Sequence, residues 1–432
     1  MNPTETPSPV HYVGDLTEDG IQPFRVAAPD GFDADAVTAI ATTPGMEFQA
    51  GIKNAADAPD AQGMLIRSAT KFKDAAAFER HQMLLYLIRS GVGYDNIDVT
   101  LASRAGVATL NTPGASTTPV ARRTLTLVSA WAARIVPGTD SLRAGKWEKK
   151  NPQVEPIDLT EKTLGIVGYG RIGKETQRLA KAQELFKGVL HYDVLGGNSN
   201  TPIEELVAKA DVMTLSAGGK DEILTPELLK NVKPGTLIVN TGRGGNINKE
   251  AILAAMDRGV HFATDVFWEE GPKMFDDPVT AQIVAHPNFF GTPHTAASDE
   301  VTQRQLGTEG STRMIEFATQ GIVNPHDIPG HTLGRFDLGR REAPGVRGIV
   351  THQSVPGKLE AISGALHGKG MNIVRVQNAE GGINGGHRLA MTQFDLDHTV
   401  EPEQAVAVMR DIARQVEAYR TRLLLFAKES NA

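Results

Sequence analysis

From about Phe24 onward the chain alternates short apolar runs with polar, helix-like stretches. MLIRS (64–68), LLYLIRS (84–90) and VATLN (107–111) carry the apolar content, with KDAAAFERH (73–81) among them. The alternation predicts a parallel sheet, because consecutive parallel strands need a crossover and that crossover is usually a helix. A second series runs from Thr163 to about Thr292, with strands predicted at TLGIVG (163–168), GVLHYD (188–193), DVMTLS (211–216), TLIVNT (236–241) and HFATDV (261–266). Joining the two, STTPVARRTLTLVSAWAAR (116–134) sets Ser and Thr ahead of Pro119 and repeats Leu125, Val128 and Ala132 at helical spacing. One long bridging helix is predicted there.

The pattern breaks at VNPHDIPGHTLGRFDLGRREAPG (323–345), a Pro- and Gly-rich stretch that reads as a linker. Beyond it the order is strand 347–353, helix 358–369, strand 372–378, a glycine-rich hairpin GGINGG (381–386), strand 387–395, helix 402–418 and strand 421–426. That order, βαββαβ, is ferredoxin-like. The first residues are rich in Pro, Thr and Ser and poor in apolar side chains, which predicts a mobile tail over 1–20.

Composition narrows the classes. A chain of 432 residues suggests about three domains at roughly 150 residues each. Apolar residues at 40% and charged ones at 22% give a globular balance that excludes wholesale disorder. The 44 Lys and Arg against 51 Asp and Glu leave a net charge of −7, which argues against a nucleic-acid partner. Without cysteine there is no disulfide framework, thiolate metal site or cysteine nucleophile, and no metal is expected. The start lacks a basic-then-apolar leader, and no run of about 20 apolar residues offers a membrane span. A soluble, cytoplasmic protein with no membrane partner is the expectation.

Strand TLGIV runs directly into Gly168-Tyr169-Gly170-Arg171-Ile172-Gly173 and then an amphipathic helix. In a Rossmann-like unit such glycines make a tight turn, admit a pyrophosphate close to the backbone and let helix pack on strand, while the helix N-terminus offers N–H groups. Asp193 follows about 20 residues later, at the end of the next strand, where a carboxylate accepts from ribose hydroxyls and repels a 2′-phosphate. NAD is therefore expected rather than NADP. Gly168 to Lys174 also fits GxxxxGK, but Glu175 stands where a P-loop needs Ser or Thr for magnesium, and that reading is rejected.

Three further segments close strands of the same series: Thr241-Gly242-Arg243-Gly244-Gly245, Asp265-Val266-Phe267-Trp268-Glu269-Glu270 and Thr292-Pro293-His294. In doubly wound sheets ligands bind outside the carboxyl ends of the strands, so these loops would bring a guanidinium, a carboxylate and an imidazole to one crevice. Singly, each has a plainer reading: His294 as a turn residue, Arg243 as a surface charge, Glu269 and Glu270 as solvated carboxylates. Jointly they suit oxidation of a secondary alcohol, which needs a base that titrates near neutrality.

At these residues, and at RSATK (67–71), SGVGYDNID (90–98) and NTPG (111–114), the chain resembles the D-isomer-specific 2-hydroxyacid dehydrogenases over about residues 60–320. The C-terminal unit is similar to the ACT regulatory domain of those members that oxidise 3-phosphoglycerate at the start of serine synthesis. The resemblance implies an α/β protein with two Rossmann-like, doubly wound parallel-sheet domains. One binds substrate (21–115 and 297–325) and one binds NAD (116–296); a linker (326–345) and an ACT-like domain (346–432) follow. It implies His294 as acid and base, Glu270 as its orienting carboxylate by its spacing from Asp265, and Arg243 as the holder of the substrate carboxylate. Thr241 and Asp265 are implied on the cofactor. Arg67 and Arg89 are implied for a substrate phosphate, the backbone of Gly91, Val92 and Gly93 for the carboxylate, and Asn111 as a further polar contact. His352 and Asn372 match positions for an amino-acid effector such as serine, and relatives of this kind assemble as homodimers or homotetramers.

The chain departs from the family pattern at Ala121-Arg122-Arg123 in place of Ala-Glu, at AGGK (217–220) where His and Pro are common, at Gly271 in place of Pro, and at Ser354 in place of Asn. Two other readings stay open: a dehydrogenase or reductase for another, non-phosphorylated 2-hydroxy or 2-oxo acid, and an NAD-sensing binding protein without turnover. Retention of Arg243, Glu270 and His294 speaks against the second.

Overall fold

A computed structural model describes residues 13–17, 20–194, 197–219, 221–323, 338, 345–380, 388–397 and 400–426. They fall into two compact units, one running from the N-terminus through Ala115 and resuming at Gln303, the other Ser116–Thr302. Among the described residues no helix is long and apolar enough to cross a membrane.

The second unit is built on six parallel strands in the spatial order Phe289–Gly291, His261–Thr264, Leu237–Asn240, Val212–Leu215, Thr163–Val167, Gly188–Tyr192. Central strands are buried in unbroken runs because helices cover both faces, as with Val212, Met213, Thr214 and Leu215. The strand order reverses beside Thr163–Val167, which opens a crevice at its carboxyl end. Phe289–Gly291 was not among the predicted strands, being too short to show alternation. The helix predicted over 116–134 is present as Thr117–Ala132, and a second, unpredicted helix, Ile135–Arg143, follows where a loop was expected. Arg134 turns left-handed at φ 54° and separates them, while Leu125, Val128 and Ala132 are buried as their spacing predicted.

In the first unit five parallel strands run Met46–Gln49, Phe24–Ala27, Gly63–Ile66, Tyr86–Arg89, Ala108–Asn111. A second, antiparallel sheet has the order Ile373–Glu380, Leu389–Leu396, Gly345–Gln353, Arg420–Phe426, Val13–Thr17, Gly20–Gln22. Its first four strands, with helices Lys358–Gly368 and Pro402–Gln415, make the expected βαββαβ module. Within the stretch read as a tail, Val13–Thr17 is a strand that pairs with Arg420–Phe426 and covers what would otherwise be an open edge. The hairpin at 381–386 lies outside the described residues, as does the linker over 326–345 apart from 338 and 345.

The C-terminal module was expected as a domain of its own, yet it shares a core with the five-stranded sheet. Ile349, Met391, Leu424 and Phe426 pack with Phe24, Tyr86, Met314 and Phe317. Polar groups join the same contact. Arg422 donates to the carbonyls of Phe317 and Ala318 at 3.0 and 2.7 Å, and Arg347 and Gln393 donate to that of Gln320 at 2.7 and 3.1 Å. The Phe317 carbonyl also accepts from Gly321 N–H at 2.9 Å, and the arginines and Gln393 serve those of Ala318 and Gln320 near the end of helix Glu300–Gln320. Arg347, wholly buried, is held in turn by both oxygens of the equally buried Asp395, at 2.6 and 3.0 Å, and Arg375 reaches the same carboxylate at 2.7 Å.

Asp395→Asn would leave Arg347 buried beside a neutral amide. It should destabilise the first unit by about 3–5 kcal/mol, seen as a lower urea midpoint. In the second unit, burial and then the nearby Arg134 charge push His261 down to about 4. The folded state keeps this imidazole neutral while the unfolded chain takes up a proton. Stability of that unit should therefore fall as pH drops from about 6.5 towards about 4, and His261→Phe should shrink the loss in a pH series of thermal unfolding.

Candidate active site

Strand Thr163–Val167 enters the glycine turn through Gly168, whose φ of 89° is open to glycine and strained for other residues. A methyl group at Gly168 would stand 2.5 Å from the Ala217 nitrogen, and one at Gly173 would stand 2.2 Å from the Gly168 carbonyl oxygen. Both positions are closed by backbone. Gly170 faces open space, and no side chain caps the first turn of helix Arg171–Ala182. The turn thus offers room for a pyrophosphate and a helix N-terminus to receive it. Asp193 is buried at the end of Gly188–Tyr192 and accepts from the Tyr169 N–H at 2.8 Å, which places its carboxylate beside the turn. This donor set fits a dinucleotide. Arg171 is exposed and Ile172 half-buried at the helix start.

Close backbone contacts continue from loop to loop. A methyl at Gly242 would meet the Ala217 oxygen at 2.6 Å, and one at Gly244 would meet the Phe267 carbonyl carbon at 2.1 Å. Arg243 sits between these glycines, and two buried asparagines hold its turn. Asn240 accepts from Gly242 N–H at 3.0 Å and donates to the Arg243 carbonyl at 2.9 Å, while Asn246 accepts from Arg243 N–H at 3.1 Å. Neither asparagine stood out in the sequence, where the only signal was its place at the strand end or just past TGRGG.

His294 takes the left-handed backbone at φ 53°, a conformation that costs a non-glycine residue roughly 1–3 kcal/mol and needs outside support. Asp265, 1% exposed, provides it. One of its oxygens accepts from the Thr292 hydroxyl and from Thr295 N–H at 3.0 Å, the other from Ala296 N–H at 3.0 Å, and its carbonyl accepts from His294 N–H at 2.7 Å. This carboxylate, expected at the cofactor, ties down the loop that carries the imidazole. The Thr241 hydroxyl is buried against that of Thr124 at 2.8 Å.

So held, His294 Nδ1 lies 2.7 Å from Glu270 Oε2. Half of the His294 side chain and 43% of that of Glu270 remain exposed, so the pair is open to a reactant. Burial alone would raise the Glu270 carboxyl, but the hydrogen bond and charge of His294, the Phe267 N–H and the Arg243 charge outweigh it and hold it below its usual range. With Glu270 ionised, Nδ1 carries the hydrogen towards it and Nε2 is the nitrogen left to exchange a proton. Gly271 lies at φ 112°, outside the range of proline, so the departure from the family's Pro here belongs to a different turn.

The remaining predicted residues lie in the first unit. Arg67 is half-buried, its guanidinium bonded to Gln303, and Arg89 folds back to donate to the Ser90 carbonyl at 2.8 Å. Gly91, at φ 131°, gives its N–H to Thr112 Oγ1 at 2.8 Å. Asn111 donates to the Val92 carbonyl at 2.7 Å and so supports the 91–93 loop. In the C-terminal module a cavity of about 440 Å³ is lined by His352, Ser354, Lys358, Asn378, Glu380 and Arg388, among others. Burial pushes the His352 imidazole down, and its nitrogens lie 2.9 Å from the Gln353 carbonyl and from Thr392 Oγ1. Asn372 does not join it within the chain. His352 and Glu380 both stand opposite Ala390, whereas Asn372 precedes Ile373, opposite Leu396 at the far end of the sheet.

Residues 125–296 match the family described as D-isomer specific 2-hydroxyacid dehydrogenase, NAD binding domain. The chain is 35% identical over 261 residues to hydroxypyruvate reductase of Thermotoga maritima, covering 58% of this chain and 83% of that protein. It is 34% identical over 295 residues to D-3-phosphoglycerate dehydrogenase of Methanocaldococcus jannaschii, covering 64% of this chain and 54% of the other. The Bacillus subtilis enzyme of that name is 32% identical over 330 residues, with coverages of 72% and 61%. The chain thus spans about half to three-fifths of the length of these phosphoglycerate dehydrogenases. Among solved structures, a Thermus thermophilus protein aligns at TM-score 0.59 and 26% identity over 69% of this chain and 97% of its own. NAD⁺-bound 3-phosphoglycerate dehydrogenase of Entamoeba histolytica shares the fold at TM-score 0.55 and 23% identity, over 69% and 96%.

Glu270→Gln keeps the shape and removes the charge that faces Nδ1. Turnover with a 2-hydroxy acid should fall roughly 10²-fold or more, while NAD affinity by calorimetry stays unchanged.

Proposed function

Because this chain belongs to the D-isomer specific 2-hydroxyacid dehydrogenase family, with an NAD-binding domain at residues 125–296, we propose that it reversibly oxidises 3-phosphoglycerate to 3-phosphohydroxypyruvate. The observation that carries the chemistry is the 2.7 Å contact between His294 Nδ1 and Glu270 on a loop fixed by Asp265. Gly168, Gly170, Gly173 and Asp193 would hold NAD, which when bound supplies the hydride acceptor. His294 Nε2 takes the hydroxyl proton in oxidation and returns it in reduction, and Glu270 stabilises the imidazolium that forms between. Arg243, a planar donor fork on a rigid turn, holds the substrate carboxylate and polarises the oxygen that becomes the carbonyl.

Arg67, Arg89 and the backbone at Val92 and Gly93 are the groups proposed for substrate in the first unit, the Gly91 N–H expected there being given to Thr112. Two arginines suit a phosphate, which favours the phosphorylated acid. The alternative, reduction of unphosphorylated hydroxypyruvate, is supported by the relative from Thermotoga maritima. For the C-terminal cavity we propose a small amino acid as effector. Its ammonium would face Glu380, and its carboxylate would face Lys358 and Arg388, with His352 beside it. A homo-oligomer is the proposed assembly.

Purified protein with NAD and 3-phosphoglycerate at alkaline pH should raise absorbance at the NADH band, and Arg243→Ala should lower kcat/KM roughly 10²- to 10³-fold. A panel of 2-oxo acids with NADH separates the two substrates, and silence across the whole panel would remove the enzyme reading.

A further inference from the structure

The loop Arg67-Ser68-Ala69-Thr70 leaves the end of strand Gly63–Ile66 and must turn sharply, which takes its backbone groups out of the sheet. Two side chains from distant parts of the sequence receive them. Asp30 accepts from Arg67 N–H at 2.6 Å, Thr70 N–H at 3.1 Å and the Thr70 hydroxyl at 2.7 Å. From the other side one amide nitrogen, Asn96 Nδ2, donates to the carbonyls of Arg67 and Thr70, each at 2.7 Å. The N–H and the C=O of both loop ends are therefore held, and Ser68 and Ala69 stand exposed at the apex.

Charge gives this arrangement a meaning beyond stability. A carboxylate behind a loop that carries a substrate-binding arginine opposes an anionic substrate unless its charge is taken up locally. Asp30 has three hydrogens to take it up, two from N–H groups and one from a hydroxyl. Its cost to the substrate is small and its hold on the loop is strong, since hydrogen bonds to an ionised acceptor are roughly twice as strong as neutral ones.

We propose that Asp30 and Asn96 are positioning residues for substrate binding, acting by fixing the 67–70 loop and with it Arg67. The inference rests on the substrate reading above. A group shifted by about 1 Å can lose as much as 10²-fold in efficiency. Asp30→Asn replaces an acceptor with a donor that faces Thr70 or Arg67 N–H, and Asn96→Ala removes both carbonyl contacts.

Each variant should raise KM for the hydroxy acid roughly tenfold or more, leave kcat within about threefold and leave the calorimetric Kd for NAD unchanged. In an Arg67→Ala background the Asp30→Asn step should add little, because both act on one group. A higher KM in Arg67→Ala with none in Asp30→Asn and Asn96→Ala overturns the clamp and keeps Arg67 as a ligand. The reverse, a higher KM in the clamp variants alone, keeps the clamp and removes Arg67 from the substrate reading. No change in any of the three removes both. If Asp30→Asn does not fold, Asn96→Ala decides, and a fall in kcat matched by weaker NAD binding would show a general structural role and overturn the proposal.

Discussion

One buried carboxylate sets the geometry of the His294–Glu270 pair. Asp265 is fixed at a strand end by the sheet, and it reads out that position through bonds to Thr292, Thr295 and Ala296. These bonds sustain the left-handed backbone of His294, which free in solution would relax to an ordinary conformation and carry the imidazole elsewhere. Only in that conformation do His294 and Glu270, on separate loops, meet at hydrogen-bond distance. The His294–Glu270 contact therefore depends on a buried group outside the pair.

The second constraint is proximity of backbones. Gly168, Gly242 and Gly244 are each crowded by backbone atoms of the neighbouring loop, and any side chain at these positions would push consecutive loops apart. Dinucleotide turn, arginine turn and glutamate loop are thereby packed in series along one edge of one sheet. Buried asparagines complete the setting, since Asn240 and Asn246 satisfy the amides of the arginine turn where water is excluded. Such preorganisation is what lets a guanidinium act on developing charge without first having to move.

The C-terminal module shows how a unit that looks detachable in sequence becomes part of its neighbour. Its sheet presents Arg347, Gln393 and Arg422 to carbonyls near a helix end, and apolar residues around them share the core of the five-stranded sheet. Arginine suits this place because it keeps its charge when buried and its planar donors fit several acceptors at once.

By itself the sequence determined the local chemistry. The strand-turn-helix at the dinucleotide turn, Asp193 at the next strand end, the three loops bearing Arg243, Glu270 and His294, and the βαββαβ order were all legible, because each rests on short-range spacing and on residue types with few roles. Tertiary structure decided what those residues are bonded to. Asp265 and Thr241 found buried partners, Asn372 was parted from His352, a second helix followed Arg134, and Val13–Thr17 joined a strand from the opposite end of the chain. Asp30 carried no signal, Asn96 showed only as part of SGVGYDNID, and Asn240 and Asn246 only by their place beside TGRGG, for a supporting side chain is defined by the distant backbone it satisfies. That partner exists only once the chain has folded.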